Sequence, residues 1–329
     1  MSSSSLSTET APATPSSAPP RATRDAFGET LRRLGADHPQ LVVLDADLSE
    51  STRSAKFAEA FPERFFQLGI QEANMLGTAA GLAASGKRVF CCSFSCFVTG
   101  RFDQIKVSVA YNDLPVTIVG THAGCAVGPD GYTQMALEDV ALLRTLPNML
   151  VLQPADDLET TQMVEHLVTG HRGPAFLRLT RQKVPRVHDA GYRFVPGAVD
   201  PLRRGSGLAI CATGACVAGA LEAAARLVGE GLSPTVINIS TLAPLDGDGL
   251  VAALASCERV LTVEDHSIVG GLGSAICEAL AERRPLRVHR VGLREFGESG
   301  ETEELFRKHH LDGPGIYLEA KALLAEAPR

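Results

Sequence analysis

No stretch of this 329-residue sequence approaches the ~20 uninterrupted apolar residues that a membrane-spanning helix requires. With 45% apolar and 21% charged residues it reads instead as a soluble globular protein. Basic residues are not in excess. A net charge of -7 disfavours nucleic acid as a partner, because phosphate backbones are held mainly by clustered Lys and Arg. No C-x-x-C pair occurs among the eight cysteines, at 91, 92, 96, 125, 211, 216, 257 and 277, and several lie inside apolar runs. They read as reduced, cytoplasmic thiols acting as small core residues. Zinc at Cys91, Cys92 and Cys96 is disfavoured, since adjacent residues of a strand point to opposite faces. Residues 1–24 lack the basic n-region and apolar h-region of a signal peptide. They contain seven Ser, four Thr, four Ala and four Pro, and such a composition cannot offset its own ordering entropy. A disordered leader is expected over 1–23.

The length suggests about two domains at a rough ~150 residues each. From Arg24 onward, short apolar runs alternate with amphipathic segments. Leu41–Leu44, Val89–Cys92, Val116–Gly120, Met149–Leu152 and Ala175–Leu179 read as buried strands. Ala73–Ala84, Phe102–Tyr111 and Leu158–Thr169 read as helices between them. This alternation implies a parallel sheet covered on both faces, so 24–185 is expected to be one doubly wound α/β domain. Residues 186–204 are dense in Pro and Gly and read as a linker. A second, smaller α/β domain follows over 205–329. Its expected strands are Leu208–Thr213, Thr235–Ile239, Arg259–Glu264 and Leu286–Val291, and its expected helices Val217–Val228, Leu250–Ala255 and Ser274–Ala281.

Three segments carry candidate chemistry. Gly69-Ile70-Gln71-Glu72-Ala73-Asn74-Met75 puts one carboxylate in the first turn of a Gly- and Ala-rich helix, a place where an acidic side chain ordinarily complements the helix dipole. Val89 to Phe97 is a strand running into a loop, with Phe94 and Phe97 three apart, a spacing more often found in cores than in cofactor walls. The glycine-rich stretch Gly120 to Asp139 contains His122, Asp130 and Gln134. It follows a buried strand, and ligands of open parallel sheets bind outside the carboxyl ends of strands.

Taken in order, G-I-Q-E-A-N-M, C-C-S-F-S-C-F-V-T-G-R-F-D-Q-I, G-T-H-A-G…G-P-D-G-Y-T-Q-M-A-L-E-D, F-L-R-L-T-R-Q and L-T-V-E-D-H-S-I-V-G-G-L-G resemble the C-terminal half of transketolases over about residues 24–329. The resemblance implies a pyrimidine-binding thiamine-diphosphate fold followed by a transketolase C-terminal-like domain. It implies that Glu72 binds the cofactor's aminopyrimidine ring and drives it to the imino tautomer that deprotonates the thiazolium carbon. Burial is expected to favour a neutral Glu72 or a shared proton. Phe94 and Phe97 match the aromatic wall of the pyrimidine. His122, Asp130 and Gln134 match contacts to sugar hydroxyls, His122 also to the phosphate end and with a catalytic role, and Arg181 matches a phosphate-binding arginine. Two positions depart from the family pattern: Gly100 stands where many members add a third aromatic, and Pro129 where an acidic residue is common.

Whole transketolases also hold the cofactor's diphosphate and its metal through a G-D-G motif followed ~30 residues later by Asn. Gly247-Asp248-Gly249 reads instead as a helix start, and no Asn follows Asn238. No metal ligands are therefore expected in this chain. The magnesium or calcium ion is expected on an N-terminal transketolase subunit, in a dimer of heterodimers that acts on sugar phosphates in the cytoplasm. The expected reaction is transfer of a two-carbon ketol unit from a ketose phosphate to an aldose. The beta subunit of a 2-oxo acid dehydrogenase's decarboxylating component, a biosynthetic enzyme loading a two-carbon unit onto a carrier, and a non-catalytic assembly subunit stay open as alternatives. Glu264, Asp265 and His266 read as structural or interfacial.

Overall fold

The computed structural model describes residues 18–326. β1 (Arg21–Ala22) is followed by six strands that lie parallel in one sheet: β2 (Leu41–Asp45), β3 (Phe65–Gln67), β4 (Arg88–Phe94), β5 (Val116–Thr121), β6 (Leu150–Leu152) and β7 (Ala175–Arg178). β8 (Lys183–Val184) turns back and pairs with β1 in a small antiparallel ribbon. The second sheet holds β9 (Asp200–Arg203), β10 (Gly207–Ala212), β11 (Thr235–Asn238), β13 (Cys257–Ser267) and β14 (Arg287–Leu293), in the order β14-β13-β10-β11-β9. Only its edge strand β9 is antiparallel. β12 (Thr241–Ala243) crosses back to pair antiparallel with β6, giving the first sheet the order β12-β6-β7-β5-β4-β2-β3. The chain is therefore two doubly wound α/β domains, interlocked because the second lends a strand to the first.

Every strand that the apolar runs predict is present, with ends displaced by at most three residues. Their central residues are buried on both faces, as a parallel sheet under helices requires, except in the edge strand β14, whose centre is half-buried. The strands not predicted are short or lie at edges. β3 is partly exposed, and β9 tolerates Pro201 because an edge strand has no ladder bond to lose on that side. The helix expected over Phe102–Tyr111 is instead a short α-helical turn, Phe102–Gln104, continuing as a π-helix over Ile105–Ala110. Asn112 Nδ2 donates to the Val107 and Ser108 carbonyls, at 2.8 and 3.3 Å, satisfying acceptors that the wider turn leaves free.

Of the leader expected over 1–23, residues 1–17 lie outside the described residues. The remainder already belongs to the body. Arg21 and Ala22 form β1, and Thr23 opens the helix Thr23–Gly35 with its hydroxyl accepting from the Thr180 amide at 2.9 Å. The segment expected to be a linker is likewise tied down. His188 is buried, its Nδ1 2.8 Å from Asp156 and its Nε2 3.0 Å from Asp200, with the Tyr192 ring against it. Tyr192 donates its hydroxyl to Glu159 at 2.6 Å, and Asn238 of β11 donates to the same carboxylate. The knot joins helix Asp157–Thr169 of the first domain to β9 and β11 of the second. One apolar cluster crosses the same boundary, from Val42, Cys91 and Ile118 through Leu242 to Leu250, Val260 and Ile276.

Burial alone would push the His188 imidazole down, but its hydrogen bonds to Asp156 and Asp200 and the nearby Glu159 outweigh it and hold its pKa at about 10, against 6.5 for a free side chain. Between these values the folded protein keeps a proton that the unfolded chain releases. The stabilisation is therefore complete below pH 6.5 and is lost as the pH rises toward 10. Thermal melting followed over this range should show a midpoint falling with pH, and His188→Gln should flatten that dependence. An unchanged slope in the variant would assign the alkaline loss to other groups.

Candidate active site

The carboxyl ends of β2, β4, β5 and β7 converge at one edge of the first sheet, and the loops that leave them carry most of the predicted site residues. At the end of β2, buried Asp45 accepts from the Leu48 amide at 2.6 Å and from the Thr52 and Ser54 hydroxyls at 2.8 Å each. These bonds shape the loop that presents Ser51 and Arg53. Arg53 sits in the left-handed region, φ 69°, and its Nε is 2.6 Å from Asp25.

After β3 the chain turns at Gly69, φ +71°, and Glu72 begins the helix Glu72–Ala84, which packs on β4. Glu72 is only 6% exposed, and among the described residues its carboxylate has no hydrogen-bond or ion-pair partner. The residue is buried while its carboxylate oxygens keep some access, so a ligand's donor can reach an acceptor that nothing among the described residues uses. At the end of β4, Phe94 stacks on Phe97 with ring centroids 5.7 Å apart and planes 9° apart. Its ring also lies 3.8 Å from the His122 ring, at an angle of 25°. Phe94, Phe97 and His122 thus form one continuous aromatic wall.

His122 has φ +55°, uncommon for a residue with a side chain, and the turn brings its ring under Arg24. Arg24 Nη1 lies 2.9 Å from His122 Nε2 and 2.8 Å from the Ser51 carbonyl. A guanidinium can only donate, so Nε2 accepts and the ring proton sits on Nδ1, 2.9 Å from Thr121 Oγ1. The Thr121 hydroxyl then donates to the Ser93 carbonyl at 3.4 Å. Burial, with the nearby Arg24, Arg181 and Arg53, drives the His122 pKa down to about 3. His122 is accordingly neutral near neutral pH, its Nε2 occupied by Arg24.

Arg24 has little prominence in the sequence, where it lies against the Ser- and Pro-rich leader. A signal existed. A cation in the first turn of a helix opposes the helix dipole, so its presence asks for another reason. That reason is the pocket: burial and the Arg53 charge lower its pKa, and its Nε is buried without a partner among the described residues. Three guanidinium groups, Arg24, Arg53 and Arg181, thus act on the His122 ring. Arg181 is ion-paired with Asp130 at 3.2 Å, both about one-third exposed. Gln134 is not drawn into this group; it donates to its neighbour Thr133 at 3.5 Å. Among the described residues no group of three or more His, Cys, Asp or Glu could hold a metal ion, and no helix is long and apolar enough to cross a membrane.

This geometry predicts that His122 stays neutral, in the Nδ1–H form, throughout the range of about pH 5 to 8 in which histidines ordinarily titrate. Proton–nitrogen correlation spectra of labelled protein read both the tautomer and the titration. Arg24→Ala should raise the pKa by removing one of the cations beside the ring. A His122 that titrates in that range in the unaltered protein would contradict the arrangement.

Residues 20–187 match the transketolase pyrimidine-binding domain and residues 197–316 the transketolase C-terminal domain. A chain of Methanocaldococcus jannaschii assigned as a transketolase C-terminal section is 41% identical over 310 residues, covering 92% of this chain and 95% of its own. The 6-deoxy-6-sulfo-D-fructose transketolase subunit of a Clostridium species is 38% identical, covering 89% and 91%. Among solved structures, a split-gene transketolase described as an inactive beta4 tetramer is 41% identical with a TM-score of 0.84, over 92% of this chain and 98% of that one. With two family domains in this order and such identity over nearly the whole length of its relatives, the chain belongs to the transketolase family and corresponds to its C-terminal section.

Proposed function

We propose that this chain is the C-terminal subunit of a split transketolase, transferring a two-carbon ketol unit from a ketose phosphate to an aldose acceptor. Its active site is completed by a partner subunit that binds the cofactor's diphosphate and its metal ion. Members of this family depend on thiamine diphosphate, which when bound supplies the carbanion chemistry of carbon–carbon bond cleavage and formation. The residues present fit that group. Glu72, a largely buried residue, presents a carboxylate that no donor among the described residues occupies, which a protonated ring nitrogen of an aminopyrimidine would engage, and Phe94 with Phe97 offers an aromatic face for the ring.

The observation that carries the substrate class is the converging cations. Arg24, Arg53 and Arg181 surround a neutral His122, and the buried Arg24 Nε has no partner among the described residues. Such a pocket suits the tetrahedral anion at the far end of a sugar phosphate. Asp130, paired with Arg181 at its rim, is placed to receive a sugar hydroxyl, and Gln134 lies farther along the same loop. A monocarboxylic 2-oxo acid bound for decarboxylation has no such distal anion, which weighs against a dehydrogenase component acting on such acids. One relative acts on a sulfosugar, so a sulfonate competes with phosphate as the anion. The related split-gene chain forms an inactive beta4 tetramer, and we take this chain, without its partner, to form an inactive assembly as well.

On the complex with its partner, Glu72→Gln should lower turnover by at least ~100-fold, the scale of a lost positioned acid–base group, with assembly intact. Near-normal turnover would leave Glu72 only a helix-dipole role. Arg24→Ala and Arg181→Ala should each raise KM for phosphorylated sugars by about 30- to 150-fold, the cost of a charge-assisted bond to a desolvated anion, and much less for unphosphorylated analogues. Equal losses for both substrate types would remove these arginines from the substrate site. A sulfosugar compared in the same assay identifies the anion.

A further inference from the structure

The loop from Gly124 to Leu137, which carries Asp130 and Gln134, belongs to the first domain by sequence, yet the second domain holds it along its length. At its start the Cys125 and Ala126 amides donate to the Asp265 carboxylate, at 2.7 and 3.2 Å. Asp265 lies near the end of the buried part of β13. Gly124, φ +78°, leaves the room for this approach, since a Cβ there would lie 2.0 Å from Asp265 Oδ2. At its end the Leu137 carbonyl accepts from the Ser267 amide at 2.8 Å.

Between these anchors the segment Phe296–Thr302 of the second domain lies against the part of the loop that presents Asp130. Gly128 and Gly131 flank Asp130, both with positive φ, 73° and 81°. The space a Cβ would take at Gly128 is filled by Thr302 Oγ1 at 2.9 Å and at Gly131 by Ser299 Oγ at 2.5 Å. The Thr302 hydroxyl donates to the Ala126 carbonyl at 3.1 Å. A Cβ at Gly297 would meet Met135 Sδ at 2.3 Å, and the Phe296 ring meets that of Tyr132, two residues beyond Asp130, at a tilt of 58° with centroids 4.6 Å apart. The left-handed backbone on either side of Asp130 thus has a matching surface on the second domain, and that backbone directs Asp130 toward Arg181.

We propose that the second domain is a positioning element of the substrate site: Asp265 and the Phe296–Thr302 segment hold the loop 124–137 in the conformation that sets Asp130 against Arg181. The inference rests on the reading of Asp130 and Arg181 as substrate-binding. It assigns to Thr302, Ser299 and Asp265 an effect on substrate affinity exerted through the loop, with no contact of their own to the substrate.

Thr302→Val removes the bond to the loop with little change of volume, and Thr302→Ser retains it. Two readouts separate the possibilities. Hydrogen–deuterium exchange of the full chain, with no substrate present, should show faster exchange of the 124–137 amides in Thr302→Val and in Phe296→Ala than in the parent and Thr302→Ser. In the complex with the diphosphate-binding partner, Thr302→Val should raise KM for the sugar phosphate about five-fold, the scale of one lost hydrogen bond, with kcat and melting midpoint unchanged and Thr302→Ser restoring affinity. Unchanged loop exchange overturns the proposal, and so does faster exchange with KM unaltered. Asp265→Asn extends the test to the other anchor, with the loop protection of its folded fraction as the readout. If the unaltered complex turns over no sugar phosphate, the substrate reading fails, and the exchange measurement still decides whether the second domain holds the loop.

Discussion

A buried guanidinium fixes the carboxyl edge of the first sheet, and much of the site's geometry depends on it. Arg178, the last residue of β7, is 2% exposed and donates through Nε to both oxygens of Asp139, at 3.0 and 2.8 Å, Asp139 being fully buried. Its Nη2 reaches the carbonyls of Ala136 and Asp265, at 2.9 and 3.0 Å. Burial works against the charge, but Asp139 and Asp265 outweigh it and raise the pKa above the ordinary arginine value. Asp139 is held in turn by the Ser95 hydroxyl at 2.6 Å, from the helix that carries Phe97. Removing one member of such a set leaves an uncompensated buried charge, at a cost of about 3–5 kcal/mol. This arrangement ties the aromatic wall, the end of the loop 124–137 and the second sheet to one point.

The electrostatic character of the site follows from where these fixed charges stop. Arg178 is neutralised inside the body, whereas three residues later Arg181 reaches the partly exposed rim and shares its charge with Asp130. Arg24 joins it from the first turn of helix Thr23–Gly35 and Arg53 from the loop set by Asp45, and burial together with their shared field keeps His122 neutral. An imidazole in that state serves as an acceptor that steadies Arg24, and the pocket's positive charge stays on groups that do not titrate near neutral pH. The interlocked sheets give these loops a common frame, because β12 of the second domain pairs with β6 and the His188 knot fastens the crossing segment.

The sequence makes the interior legible and leaves most of the junctions unread. Buried parallel strands are continuous apolar runs, so β2, β4, β5, β7, β10 and β11 stand out with nearly correct ends. Glu72, Phe94 and Phe97 emerge because their motifs keep order and spacing. Thr241–Ala243 gives no such signal: three residues make a strand only because β6 offers an edge. His188 hides in a Pro- and Gly-rich stretch that reads as a linker, since its partners come from helix Asp157–Thr169, β9 and, through Tyr192 and Glu159, β11. Arg24 gives only the faint signal of a cation in a helix's first turn, its partners lying 27 and 98 residues away. Asp265 is legible as interfacial, while its grip on the loop 124–137 needs the glycine contacts that only the fold reveals.

The central claim is that this chain carries half of an active site, with Glu72, the aromatic wall and the anion pocket awaiting the subunit that holds the cofactor's diphosphate. The most direct measurement adds that subunit in increments to a fixed amount of this chain, with thiamine diphosphate and magnesium present, and follows ketol transfer between sugar phosphates. The account predicts no transfer by this chain alone, a linear rise on addition, and a break at one partner per chain. Robust turnover by the chain alone, or none at any ratio with a partner shown to associate, would contradict it.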